Sequence, residues 1–473
     1  MNRFLKYFYF FILCLKALEC FTPFSHGDAF SYHLIIPKHI IELGFTDTLS
    51  KFFPTVIAGY FDLLYLIPLS LFKNTLAGQI SSQLLHFLIG QGLASFLMTK
   101  IIKDNQLKWI AGIAALTLAK SGDMFLYAKN DGVVVSASLL FYYFSNKSIL
   151  RKGVLLGLLP SIKLSGVFIA LPLILNEIVF KKIKLIEILI LGVTSILIFI
   201  PICLYKFKMT GNPLFPGLLY SFPDQLPQYL IDSYGGMLAA KLGMSSLIEN
   251  LRLLFLGKII CLLIIPVLIF QKKKINTAPF IIAILCFSLY LFVNGAVPSP
   301  RFFFSSYFFL IIGCFGALDS SHLQKKWIVP VLLILVLVDS KLDKSLTRVK
   351  NNLVDLSNLS SKEIISKRIP RSRVWDLVQK GEKEKLVHVF SDRFPQQFYA
   401  PQFVRLHHYP TQPQVRFFDQ CSNPSGLEKF QYYILSESGS KNPCYEMIYN
   451  SSELIGTVQE FKVFKRKPSQ SLL

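Results

Sequence analysis

Apolar runs separated by short basic stretches dominate the first 340 residues. They recur at 4–22, 54–72, 77–99, 109–127, 132–146, 153–180, 185–205, 247–270, 277–293, 302–318 and 327–339. A helix needs about 20 apolar residues to cross a bilayer. The pattern therefore predicts an all-α polytopic membrane domain over residues 1–339, whose shorter segments tilt or are enclosed by protein. From residue 340 the pattern changes. KLDKSLTRVKNNLVDLSNLSSKEIISKRI reads as polar helix, and LVHVF (386–390), QYYILS (431–436) and EFKVFKR (460–466) read as strands. Residues 340–473 are expected to form a small soluble α/β domain.

The basic clusters decide which runs cross. If 54–72 spans the bilayer, Lys100, Lys103 and Lys108 fall outside, against the rule that cytoplasmic loops carry the lysines. PTVIAGYFDLLYLIPLSLF carries Asp62 at its middle and Pro68 near its end, which suits a lid or surface helix instead. With that run peripheral, the clusters at 100–108, 147–152, 181–184, 272–274 and 325–326 all become cytoplasmic. The solution requires 153–180 to be two helices meeting near Lys163, and Pro160, Lys163 and Gly166 interrupt it there. About 11 transmembrane helices result, with the N-terminus inside, a large first outer loop over 24–74 and the tail outside.

Composition agrees. Hydrophobic residues make up 52% of the chain and charged residues 16%, with a mean hydropathy of +0.48. The net charge of +22 is carried in the first part by loop lysines, so nucleic acid is not an expected partner. MNRFLKYFYFFILCLKALECF resembles a signal peptide but has no small-residue cleavage site, and reads as a retained first span. The eight cysteines show no metal-ligand spacing; Cys421 and Cys444, alone in the tail, are candidates to pair in an oxidising compartment.

The same topology gathers polar residues on the outer face. Phe24–Gly44, FSHGDAFSYHLIIPKHIIELG, packs Asp28, Tyr32, His33, Lys38, His39 and Glu42 together, with Pro37 and Gly44 bracketing a short helix. Lys129, Asn130 and Asp131 form an outer turn, and Lys163, the 206–246 loop and Arg301 fall on the same side. Carboxylates at the mouth of an apolar bundle are costly without a task. Thr210-Gly211-Asn212-Pro213 reads as a turn that shapes the cavity.

The order of GDAFSYHLIIPKHIIELG, AKND, LLGLLPSIKLSG, TGNPLFP and SPRFF over 1–340 resembles the GT-C superfamily of membrane glycosyltransferases, in its bacterial branch related to protein O-mannosyltransferases and lipid A aminoarabinose transferases. The resemblance implies a GT-C-like fold in the bacterial inner membrane. It also implies transfer of a sugar from a polyprenyl-phosphate-linked donor to a glycan, lipid or protein acceptor on the outer face. Asp28 then matches the catalytic acidic position of the first outer loop, and Asp131 the second. Asp28 is the candidate general base. Arg301, Lys163, Lys129 and His33 are candidate donors to the lipid phosphate. Tyr32, Lys38 and Asn212 shape the cavity. The adjacent pair of acidic residues often seen in the family is absent, which leaves a divalent metal on Asp28 and Asp131 open; the lipid-phosphate sugar is the co-substrate. The competing class is a transporter or flippase of a lipid-linked sugar, which intramembrane charges and the broken 153–180 helix also allow. The lack of paired broken helices and the grouping of acids in outer loops favour the enzyme.

Overall fold

The computed structural model describes residues 1–23, 33–46, 48, 59–72, 76–117, 130–144, 148–215, 243–255, 276–294, 304–319, 325–340, 342–378, 385–390, 404–408, 430–436, 444–459 and 461–467. Its helices are α1 (Asn2–Glu19), α2 (Ile35–Leu43), α3 (Tyr60–Leu71, beginning as a 3₁₀ turn), α4 (Leu76–Ile101), α5 (Leu107–Leu116), α6 (Asp131–Tyr143), α7 (Ile149–Ile162), α8 (Val167–Leu175), α9 (Leu185–Thr210), α10 (Met244–Phe255), α11 (Ala278–Asn294), α12 (Phe304–Asp319) and α13 (Lys325–Ser340). Every apolar run of the sequence carries one of them.

The helices are those of a membrane bundle because many are apolar on the outside as well. In α9, Leu185, Leu197 and Leu204 are 73%, 64% and 63% exposed, while only four of its residues, Leu191, Ile202, Lys206 and Thr210, are buried. At 1.5 Å per residue this 26-residue helix is about 39 Å long. A soluble monomer does not leave so large an apolar surface open. With no water-driven apolar attraction available in lipid, small residues must bring such helices together. Gly153 and Gly157 of α7 do so: a Cβ on Gly153 would meet Thr194 at 2.6 Å, and one on Gly157 the Ser195 carbonyl oxygen at 2.4 Å. The two helices therefore run parallel, with α8 as the return between them.

The ends of the bundle follow from a few contacts. Trp109 donates to the Asn2 side chain at 3.0 Å, so α1 and α5 begin at one end. Glu19 finishes α1 at the other. Around α7 the expected break is present: α7 stops at Ile162, Lys163 is extended, a 3₁₀ turn covers Leu164–Gly166, and α8 returns. The 54–72 run is described from Gly59 onward. Its α3 folds back onto the first half of α4, where Tyr65 bonds His86 at 2.8 Å and Gly78 lies against Leu69. Leu64, Ile67 and Leu71 of α3 face outward. Asp62, however, is completely buried on its inner face, so the surface reading fails for this residue.

Beyond Ser340 come two polar helices, α14 (Leu342–Asn358) and α15 (Ser361–Arg368), and a 3₁₀ turn at Pro370–Leu377. They precede a five-stranded sheet built from β1 (Lys385–Phe390), β2 (Val404–His408), β3 (Tyr432–Ser436), β4 (Ser452–Val458) and β5 (Phe461–Arg466), with α16 (Cys444–Ser451) before β4. The strand order is β2-β1-β3-β5-β4, parallel on both sides of β1 and antiparallel on both sides of β5. Val374, Trp375 and Val378 cover Tyr432, Ile434, Phe461 and Val463 to make a separate small core. Three strands match the sequence reading; β2 and β4 were not expected. Cys421, and with it any pairing to Cys444, lies outside the described residues.

The tail is tied to the bundle through one buried charge. Glu19 accepts from Lys16 at 2.6 Å and from Arg348 of α14 at 2.9 Å, Lys16 also donates to Ser345, and Asn352 donates to the Glu19 carbonyl. The polar helix α14 thus docks where α1 ends.

Candidate active site

The site is assembled where α6 begins and α7 finishes. Asp131 lies in the first turn of α6, behind Asn130 at the N-cap. Lys163 reaches it from the break after α7 and donates to both carboxylate oxygens, at 2.7 and 2.9 Å. The Asp131 side chain is 3% exposed and that of Lys163 20%. A buried carboxylate needs such a partner, and the pairing gives Asp131 a fixed orientation. Beside the pair lies a cavity of about 10 Å³, room for roughly one water. Asp131, Ser165, Cys286, Phe304 and Ser305 line it. Ser305 stands in the first turn of α12, whose positive dipole end therefore faces the cavity, four residues after Arg301.

A second polar cluster joins this one. Asp62 accepts from His33 Nδ1 at 2.6 Å and from Asn130 Nδ2 at 3.0 Å on one oxygen, and from the Gly59 N–H at 3.0 Å on the other. All four residues belong to different stretches of chain or opposite ends of a turn. Gly59 itself sits on the last turn of α7: a Cβ there would stand 2.0 Å from the Ile162 carbonyl oxygen. No relaxed side chain fits at that distance. Gly59→Ala is therefore expected to push α3 off α7 and to lower the melting temperature of the purified protein by several degrees, with a loss of about 1–3 kcal/mol typical of overpacking. An unchanged melting curve would contradict the contact.

Several expected site residues are placed elsewhere or not described. Asp28, Tyr32, Lys129 and Arg301 lie outside the described residues. His33 is buried and directed to Asp62 rather than toward open space. Lys38 is buried on α2, within 3.9 Å of Glu42. Burial lowers the Lys38 pKa and raises that of Glu42. Burial, helped by the Lys38 ammonium, pushes the neighbouring His39 down to about 4, so this imidazole is neutral at physiological pH. Asn212 is fully buried and builds a turn: its N–H donates to Thr210 Oγ1, its side chain accepts from the Leu214 N–H, and Gly211 takes the left-handed φ of 71° that ends α9. Lys206 closes the turn by donating to the Phe215 carbonyl at 2.7 Å. Among the described residues no three His, Cys, Asp or Glu side chains gather in metal-binding fashion.

Neither Asp62 nor Asn130 was expected among the site residues. A signal existed for Asp62, since an acidic residue in the middle of an apolar run is costly near lipid. Nothing comparable marked Asn130, which reads as an ordinary helix cap.

No family model matches the sequence, and no curated protein resembles it at a significant level. Solved structures do resemble the fold. ArnT from Cupriavidus metallidurans bound to undecaprenyl phosphate aligns over 99% of both chains with a TM-score of 0.65 at 12% identity. Its apo state aligns over 96% of both chains with a TM-score of 0.59 at 13% identity. The archaeal oligosaccharyltransferase AglB from Archaeoglobus fulgidus, in complex with an inhibitory peptide and a dolichol-phosphate, aligns more loosely, with a TM-score of 0.43 over 93% of this chain and 70% of that one at 12% identity. Over nearly its whole length, the chain has the fold of ArnT.

Proposed function

We propose that the chain is an integral-membrane glycosyltransferase. It moves a sugar from a polyprenyl-phosphate-linked donor to a hydroxyl of an acceptor on the extracytoplasmic face. The observation that carries the reading is the buried Asp131–Lys163 pair beside a cavity at one end of a bundle with the ArnT fold. ArnT itself was crystallised with undecaprenyl phosphate, a lipid phosphate of the class expected of the donor here.

The chemistry divides into two charges. As the acceptor oxygen bonds to C1 of the sugar, its proton passes to a carboxylate, assigned to Asp28. As the bond from C1 to the phosphate oxygen breaks, the electron pair stays on the lipid phosphate. That second charge is met by cationic donors, with Lys163, Arg301, Lys129 and His33 as the candidates. Lys163 suits the role in a particular way. Its ammonium is held in place by Asp131, yet a fifth of its side chain stays exposed, so a phosphate oxygen can approach it. The first turn of α12, which holds Ser305, adds its positive dipole end beside the cavity.

Mass spectrometry of glycolipids and glycoproteins from cells with and without the chain tests the reading. One glycosylated species is expected to vanish without it and to return with the intact chain. Asp28→Asn is expected to accumulate in the membrane and restore none of it, whereas full restoration removes Asp28 as the base. Movement of a labelled lipid-linked sugar across vesicles, with no product bond formed, would instead support a flippase.

A further inference from the structure

We infer that Asp62 is a positioning residue for this transfer: through His33 and Asn130 it holds the first outer segment in register with the Asp131–Lys163 pair. The inference rests on the function proposed above and names a residue that function does not require by itself.

The geometry of one turn carries it. Within the four residues Gly59–Asp62, the chain touches three elements that bear site residues. Gly59 abuts the Ile162 carbonyl, immediately before Lys163. Asp62 bonds Asn130, immediately before Asp131. Asp62 also bonds His33, five residues after Asp28. A shift of this turn displaces all three together.

The hydrogen bonds also fix chemical identities. An ionised carboxylate only accepts, so Asn130 must present its NH₂ to Asp62, and the His33 proton must sit on Nδ1. The bond thereby fixes the orientation of the His33 ring, with Nδ1 turned to Asp62. Asp62 receives three donors and is completely buried, so it has no route to act on substrate itself. Its effect is exerted through the groups it holds. The Oδ1 of Asn130 is buried with no hydrogen-bond partner among the described residues, a cost of about 1–3 kcal/mol that a purely structural cap would not need. The bond to Asp62 is what keeps Asn130 in that orientation next to the catalytic turn.

The test uses the full-length protein in detergent or nanodiscs, with product formation followed by the species that mass spectrometry identifies. Asp62→Asn keeps the volume and removes the charge. It is expected to lower kcat about a hundredfold, as a displacement of roughly 1 Å at a site does, with KM for the donor changed less than threefold. His33→Gln, which leaves Asp62 and Asn130 in place, is expected to lower kcat about tenfold and serves if Asp62→Asn does not fold. A substrate-free readout accompanies them: in ¹⁵N-histidine-labelled protein, the His33 Nδ1–H resonance, assigned among eight histidines by its loss in His33→Gln, should move or broaden in Asp62→Asn. Retained kcat per folded molecule in either variant, a KM change without a kcat change, or a His33 ring without a proton on Nδ1 in the parent protein overturns the inference. A parent chain that forms no product overturns the proposed function, while the resonance still reports on the Asp62–His33 pair.

Discussion

Asp131→Asn is expected to reduce sugar transfer about a hundredfold or more, the range for loss of an oriented donor to a developing charge, because it releases Lys163. It is also expected to destabilise the protein. Lys163 donates to both Asp131 oxygens, and its side chain is four-fifths buried. An amide in place of the carboxylate removes the counterion that accepts two of the Lys163 hydrogen bonds, and breaking a buried pair costs about 3–5 kcal/mol, less where water reaches one partner. The two effects can be separated. Asp131→Leu with Lys163→Met removes both charges and should recover most of the stability, since an apolar pair of similar volume often does as well as a buried ion pair. It should recover none of the activity. Product yield in membranes and thermal unfolding of the purified variants provide the measurements. Near-normal transfer by the single variant would falsify the placement of the reaction at this pair.

The second large effect lies at the opposite end of the bundle. Glu177, fully buried in the π-helical turn that follows α8, accepts from Lys152 at 2.6 Å and from Lys181 at 2.7 Å. Lys152 is itself 3% exposed. The triad holds α7 to the end of α8 where both approach the loop leading into α9. Glu177→Gln strands the Lys152 ammonium in a site that excludes water, and a loss of about 3–5 kcal/mol is expected. This should appear as a lower melting temperature by intrinsic fluorescence and a lower yield in membranes, with the turnover of the surviving folded protein unchanged. A variant as stable as the parent would show that water or a rearranged Lys152 meets the charge. Lys181→Met, which removes the more exposed lysine, should cost far less, because a partly solvated pair contributes little.

Parts of this arrangement were legible beforehand for identifiable reasons. Pro160, Lys163 and Gly166 close together announce a broken helix, because proline removes a backbone donor and lysine seeks water or a partner. The strands at 385–390, 432–436 and 461–466 stand out as short runs rich in β-branched and aromatic residues. SELIGTV and VRLHH do not stand out, and these two strands take their form from pairing with neighbours. The Asp131–Lys163 pair was foreseen only as two residues on one face. Their mutual hydrogen bonds across 32 positions were not visible.

Asp62 marks the boundary between the two kinds of information. Its sequence neighbours mark it as an odd residue in an apolar helix, and they assign it to a surface. Its partners are 29 and 68 positions away, so nothing local identifies them.

What the sequence by itself determined is which segments leave water: hydrophobic periodicity, prolines and the spacing of lysines are local properties, and local physics is enough to set helices, breaks and the change of character at residue 340. What only the tertiary structure decided is which polar groups meet. A charge buried by packing must find a counter-charge or donor wherever the fold brings one, because leaving it alone costs more than most single contacts contribute. That search runs over the whole chain, so its outcome, Asp62 between His33 and Asn130 and Lys163 on Asp131, is written in the assembled bundle.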